Sequence, residues 1–129
     1  MSLSHQVGAA IAAACLHSMD PADRLAGSDP ASCCTKADET PWQFPNGQPG
    51  LSHQVELTFV FARTAATEAA RLGDLIAARI EAALADDMVR LAGYLILEGT
   101  IDAVTIHVDR RRGLSFVRLQ ITALTITEQ

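Results

Sequence analysis

Residues 100–127, TIDAVTIHVDRRRGLSFVRLQITALTIT, decide how this chain is read. From Leu114 onward, Val117, Leu119, Ile121 and Ala123 alternate with Arg118, Gln120 and Thr122. Successive side chains on a strand point to opposite faces, so a period of two marks a strand with one buried face. Upstream, Ile101, Ala103, Thr105 and His107 alternate with Asp102, Val104, Ile106 and Val108, a second segment rich in β-branched residues. Between the two lies Arg110-Arg111-Arg112-Gly113, a polar turn whose glycine supplies the positive φ such loops need. The spacing predicts a long C-terminal hairpin. Tyr94 to Leu97 opens it, and Glu98-Gly99 is the expected place for a bulge.

Working outward, Leu51 to Ala62 is a strand with Leu51, His53, Val55, Leu57, Phe59 and Phe61 on one face and Gln54, Glu56 and Thr58 opposite. Thr64 is placed to cap a helix running to about Ala85, with Glu68 near its positive end. Leu72, Ile76, Ile80, Ala83 and Leu84 form its buried stripe, and Arg71, Asp74, Arg79 and Glu81 face water. Gly73 costs that helix about 1 kcal/mol relative to alanine, which a close approach of helix and sheet would offset. Near the start, Ser4 is placed to cap a helix reaching about Ser18, with Val7, Ile11, Ala14, Cys15 and Met19 on one side. Asp20-Pro21-Ala22-Asp23 signals a short further turn of helix ending near Gly27. Residues 26–50 are the least regular part, carrying every proline but Pro21, with short edge strands expected at Cys33–Lys36 and Trp42–Phe44. The order is helix, edge strands, long strand, helix, long hairpin. It predicts one α+β domain over residues 1–129: a mainly antiparallel sheet with two main helices on one face.

The 129 residues suffice for one core, and 49% hydrophobic content marks a globular chain. A net charge of −5 argues against gripping DNA through its phosphates, which requires a basic face. Cys33 and Cys34 are adjacent, so their Cα atoms are about 3.8 Å apart, closer than a disulfide normally allows. With Cys15 they suggest reduced thiols and a reducing compartment. The apolar run Val7–Leu16 has no preceding Lys or Arg and is too short to span a bilayer, so no membrane segment is expected.

A domain of this size has a diameter of roughly 35 Å, whereas a strand of twelve to fourteen residues spans about 40–48 Å. Either the long strands bend or overhang, leaving backbone that invites another chain, or each strand is shorter. No nucleophile elbow, paired C-x-x-C or H-x-x-x-H spacing, or glycine-rich phosphate loop is present, so neither catalytic, metal nor cofactor residues are assigned. His53 and His107 sit on strands among apolar neighbours, as structural histidines do. The candidate contact residues are Trp42 and Phe44 as apolar anchors, Glu56 and Thr58 on the long strand, and Arg110, Arg111 and Arg112, whose charges either fan into solvent or meet an acidic patch.

Val55-Glu56-Leu57-Thr58-Phe59-Val60-Phe61, Glu68-Ala69-Ala70-Arg71-Leu72, Ala82-Ala83-Leu84, Val104-Thr105-Ile106, the arginine-rich turn and the closing Val117 to Thr127 follow a pattern that resembles the tail-terminator proteins of long-tailed bacteriophages and gene transfer agents, the lambda-type minor tail protein U among them. The opening helix followed by Asp20 and Leu25 also fits, so the likeness covers about two-thirds of the chain. Residues 26–50 depart from it. The resemblance implies a non-enzymatic virion protein: a ring of six identical subunits at the head-proximal end of the tail, assembled in the host cytoplasm. Such a ring stops tail-tube polymerisation and joins the tail to the head connector or stopper protein, with DNA passing through the lumen unheld. The alternatives are another neck or tail-completion protein of such a virion, or a small ligand-binding or enzymatic α+β domain.

Overall fold

In the computed structural model, which describes residues 2–20, 30–62, 65–86 and 89–127, the chain builds helix α1 (Leu3–Ser18), a single turn α2 (Pro30–Cys33), strands β1 (Cys34–Gln43) and β2 (Pro49–Phe61), helix α3 (Ala66–Ala85), and strands β3 (Tyr94–Asp109) and β4 (Leu114–Thr127). The strands form one fully antiparallel sheet in the order β1-β2-β4-β3. The fold is α+β. Helix α1 packs on β1 and β2, α3 on β3 and β4, and the two helices touch each other. Among the described residues no helix is long and apolar enough to cross a membrane.

The alternation read in β2 and β4 is the alternation the fold uses. Val55, Leu57, Phe59 and Phe61 of β2 and Val117, Leu119, Ile121 and Ala123 of β4 are buried against Val7, Ile11, Cys15, Leu72, Ile76 and Ile80 of the helices. Val55 pairs with Ile121, Leu57 with Leu119 and Phe59 with Val117, so the apolar rows lie side by side in register. Apolar burial at roughly 25 cal/mol per Å² makes this layer the main stabilising element. Gly73 does let α3 approach the sheet: a Cβ there would press on the Ile106 side chain.

Several local expectations are corrected. The cap of α1 is Ser2, whose Oγ accepts from the His5 N–H at 3.1 Å; Ser4 lies inside the first turn, buried, with its hydroxyl turned to the sheet. The two short edge strands are one continuous strand, β1, because an edge position leaves Pro41 without a ladder hydrogen bond to break. The shorter-strand alternative fails, since β2, β3 and β4 run 13, 16 and 14 residues. In β3 the register slips between Ile96 and Glu98, one position before the expected bulge, and again between Ile101 and Ala103. The second slip swaps faces. Ile101 lies opposite Ile121 on the helix side, but beyond Asp102 it is Val104 and Ile106, opposite Leu119 and Val117, that share that side. Ala103, Thr105 and His107 turn to the other face. The residue before α3 is Ala65, with no side-chain capping bond. Thr64 and the turn expected within residues 21–27 lie outside the described residues.

Both tight turns follow their sequence signals. Gly47, with φ 86°, closes the β1–β2 turn, where Asn46 Oδ1 accepts from the Gln48 N–H at 3.0 Å. Gly113, with φ 69°, ends the β3–β4 turn, where Asp109 Oδ1 accepts from the Arg112 N–H at 3.2 Å.

Candidate interaction surface

With both helices on one side, the sheet's other side is open to solvent and carries the polar half of each alternation. Across it Lys36 lies opposite Glu56, Asp38 opposite Gln54, Thr58 opposite Arg118 and Arg118 opposite Thr105. The middle of this face is tied together by side chains. Thr35 Oγ1 donates to Glu56 Oε1 at 2.9 Å and lies 3.3 Å from Thr58 Oγ1. Arg118 Nε stands 3.6 Å from Glu56 Oε1. Nearer β3, the Thr122 hydroxyl donates to the carboxylate of Asp102, the bulge residue.

The candidate contact residues therefore fall into three groups. Trp42 and Phe44 form an edge-to-face pair, ring centroids 6.4 Å apart at 84°, at the β1–β2 turn. Trp42 is exposed and Phe44 half-buried, so neither is swallowed by the helices. Glu56 and Thr58 sit together mid-sheet with Thr35 and Arg118. Arg110, Arg111 and Arg112 occupy the β3–β4 tip, where the Arg112 Nε lies 3.3 Å from Asp109. Trp42 lies opposite Gly50 and Arg118 opposite Thr58. Eight strand residues, about 27 Å at 3.4 Å each, separate the aromatic group from the arginine end. Arg118, Thr35, His107 and Phe116 join these groups only through cross-strand register. A period-two reading of each strand alone does not reveal them.

The backbone edges belong to β1 and β3. Strand β2 is hydrogen-bonded on both sides, so the long strand presents side chains to a partner but no free edge. The β3 edge exposes Leu95, Leu97, Val104 and Ile106, with Leu97 50% exposed. The β1 edge is polar apart from Trp42. Among the described residues no further strand pairs with either edge, and the two edges differ in chemistry.

Among the described residues every buried side-chain polar atom has a hydrogen-bond partner. His53 is fully buried, with Nδ1 2.7 Å from Ser4 Oγ and Nε2 2.7 Å from Thr125 Oγ1. Burial pushes its pKa down, and the Glu39 carboxylate 4.0 Å from Nδ1 opposes that only in part. Cys15, Cys33 and Cys34 are reduced and buried. Burial pushes the Cys15 thiol up to about 12 and the Cys34 thiol in the same direction. A thiolate nucleophile is disfavoured at both. Cys34 lies opposite Leu57, four strand residues from His53, whose two ring nitrogens are already engaged, so these side chains form no nucleophile–base pair. Among the described residues no group of three His, Cys, Asp or Glu side chains is arranged to hold a metal ion.

Comparison with protein-family models, with curated proteins and with solved structures finds no match to this chain.

Proposed function

We propose that the chain is a structural virion protein of the tail-terminator kind, a subunit of a self-closing ring, six-membered by the resemblance, that ends a tail tube and joins it to the head connector. One observation carries the reading: among the described residues the sheet is bounded by two unlike edges with no further strand on either, polar β1 with Trp42 and apolar β3 with Leu95, Leu97, Val104 and Ile106. A ring made by repeating one head-to-tail contact needs two different patches on each subunit. An edge strand with exposed apolar side chains is a liability that a partner normally covers. The net charge of −5 suits a collar through which DNA slides without being held. In this assignment the arginine-bearing hairpin tip, and Trp42 with Phe44 at the opposite end, face the tube and the connector. No catalytic role is assigned to any side chain.

Negative-stain imaging and light scattering of the purified protein, alone and with tube protein, test this. Closed rings, or caps on the ends of tubes whose growth then stops, are the expected result. A species that stays monomeric at every concentration, with and without tube protein, overturns it.

A further inference from the structure

On the open face near the hairpin tip, Thr105, His107 and Asp109 of β3, Arg112 of the turn, and Phe116 and Arg118 of β4 line a concavity of about 440 Å³. Phe116 lies opposite His107 in the ladder, their ring centroids 6.2 Å apart and the planes tilted by 34°, which gives an aromatic wall. Each guanidinium has a carboxylate on the same side, at 3.3 Å for Arg112 and 3.6 Å for Arg118. Asp109 approaches Arg112, and Glu56 approaches Arg118, on the Nε edge. Each carboxylate is fixed in turn, Asp109 by the Arg112 backbone N–H and Glu56 by the Thr35 hydroxyl. A guanidinium approached from its Nε side has terminal N–H donors for a second partner, and its planar fork matches an oxyanion. Arg110 and Arg111 stand beside it at the tip. A chain of net charge −5 thus gathers four arginines at one end of its sheet.

We propose that this concavity binds a side-chain carboxylate from an acidic segment of a partner protein. The carboxylate sits between Arg112 and Arg118 with the flanking chain against Phe116 and His107. Charge complementarity selects the occupant. The concavity is one small opening beside the arginine tip of a chain of net charge −5, which suits a single carboxylate better than an extended polyphosphate backbone, whose charges would run on past the arginines over a net acidic molecule. A short acidic peptide touches only the arginine end. The inference deepens the assignment of the hairpin tip to a partner and rests on that assignment, not on ring closure.

The test is fluorescence anisotropy of a labelled Asp/Glu-rich peptide against the full chain at low ionic strength, with inorganic phosphate and a single-stranded oligonucleotide as competitors. Saturable binding is expected, weakened at least tenfold in Arg112→Gln/Arg118→Gln and within twofold of the parent in Arg71→Gln, whose residue is held by Glu68 on α3. Because both pocket arginines are exposed, the double variant should keep the parent's circular dichroism spectrum. Amide shift changes on peptide addition should centre on residues 105–118. Absence of saturable binding, a double variant that binds like the parent, shift changes centred elsewhere, or a competitor that binds more tightly than the peptide each overturn the proposal. Peptide binding with no ring on the tube counts against the ring alone, and rings without peptide binding count against the pocket alone.

Discussion

Replacing Thr125 by valine removes one hydroxyl and almost no volume, so it isolates the hydrogen bond that ties the end of β4 to His53. The imidazole is fully buried between α1 and the sheet. A neutral imidazole has one N–H and one lone pair, so one of the two hydroxyls donates to the ring and the other accepts from it. Either way, Thr125→Val strands Nε2, and an unsatisfied buried polar atom costs about 1–3 kcal/mol. That is a large share of the roughly 5–15 kcal/mol that holds a domain folded. Ser4→Ala should cost less, since the Glu39 carboxylate 4.0 Å from Nδ1 can move toward it. In a His53→Leu background, Thr125→Val should cost little, because no ring nitrogen is left to strand. Urea unfolding followed by far-UV circular dichroism measures each corner of this cycle. A Thr125→Val cost below about 0.5 kcal/mol, where 1–3 is expected, would refute the account. So would an equal cost with and without His53.

The same residue makes stability pH-dependent, and the sign follows from the direction of its shift. Burial lowers the folded-state pKa below the ordinary value of 6.5, so below that value the unfolded chain binds a proton that the folded chain resists. Stability therefore falls as pH drops through about 6.5 and keeps falling until the folded-state value is reached, by at most about 1.4 kcal/mol per pH unit from one group. His53→Leu should flatten the dependence between pH 7 and the onset of carboxylate titration. Equal slopes for parent and variant would show that His53 is not the group responsible.

Gly50→Ala should destabilise by more than about 1 kcal/mol, because overpacking against fixed atoms costs 1–3: the new Cβ would meet the Thr125 carbonyl oxygen at 2.7 Å as well as the Phe44 ring. Gly73→Ala should be near neutral in the same unfolding assay. There the obstacle is the tip of the Ile106 side chain, which can rotate, and the helix gains about 1 kcal/mol of propensity. Ile76→Ala, beneath α3 in the core, should cost about 2–5 kcal/mol. The thiols should be silent to a thiol-specific chromogenic reagent at pH 8 until urea unfolds the chain. Burial of all three, and the upward push on Cys15 and Cys34, keeps the thiolate form rare. Fast labelling of the native protein would show that the layer over Cys15 opens.

The sheet and its helices were legible because their signals are local and strong. Leu57, Phe59, Leu119 and Ile121 each sit in an unbroken alternation, and Leu72, Ile76 and Ile80 in an unbroken helical stripe. What escaped reading depends on pairing between distant segments. The slip at Asp102 leaves no trace in β3's composition, since β-branched residues stand on both sides of it. Only the partner strand decides that Val104 and Ile106, and not Ala103 and Thr105, face α3. Ser4 reads as a helix cap because serine at a helix start normally is one. Its actual partner, His53, is 49 residues away. The candidate surface divides the same way. Trp42, Phe44 and Arg110 to Arg112 were visible as departures from their surroundings. Arg118 reads as the outward residue of an amphipathic strand, and becomes part of a site only when β2 brings Glu56 beside it and β3 brings Thr105 and His107.

That dependence on register bears on the sheet edges too. Without the Asp102 bulge, Ala103, Thr105 and His107 would keep the phase of Ile101 and turn toward α3. Val104 and Ile106 would then join the open face, and the arginine pocket would lose its aromatic wall. One extra residue thus sets both the apolar character of the β3 edge on the helix side and the polar character of the concavity on the other. Deleting Asp102 instead joins Ile101 to Ala103 in plain alternation, which keeps Val104 and Ile106 on the helix side and Thr105 and His107 on the open face, so peptide binding and partner association should both survive the deletion. Ring formation on tube ends and peptide anisotropy, measured on the same preparation, check this. Loss of both in a folded deletion variant would show that Asp102 itself, and not the phase of the residues after it, sets the two faces.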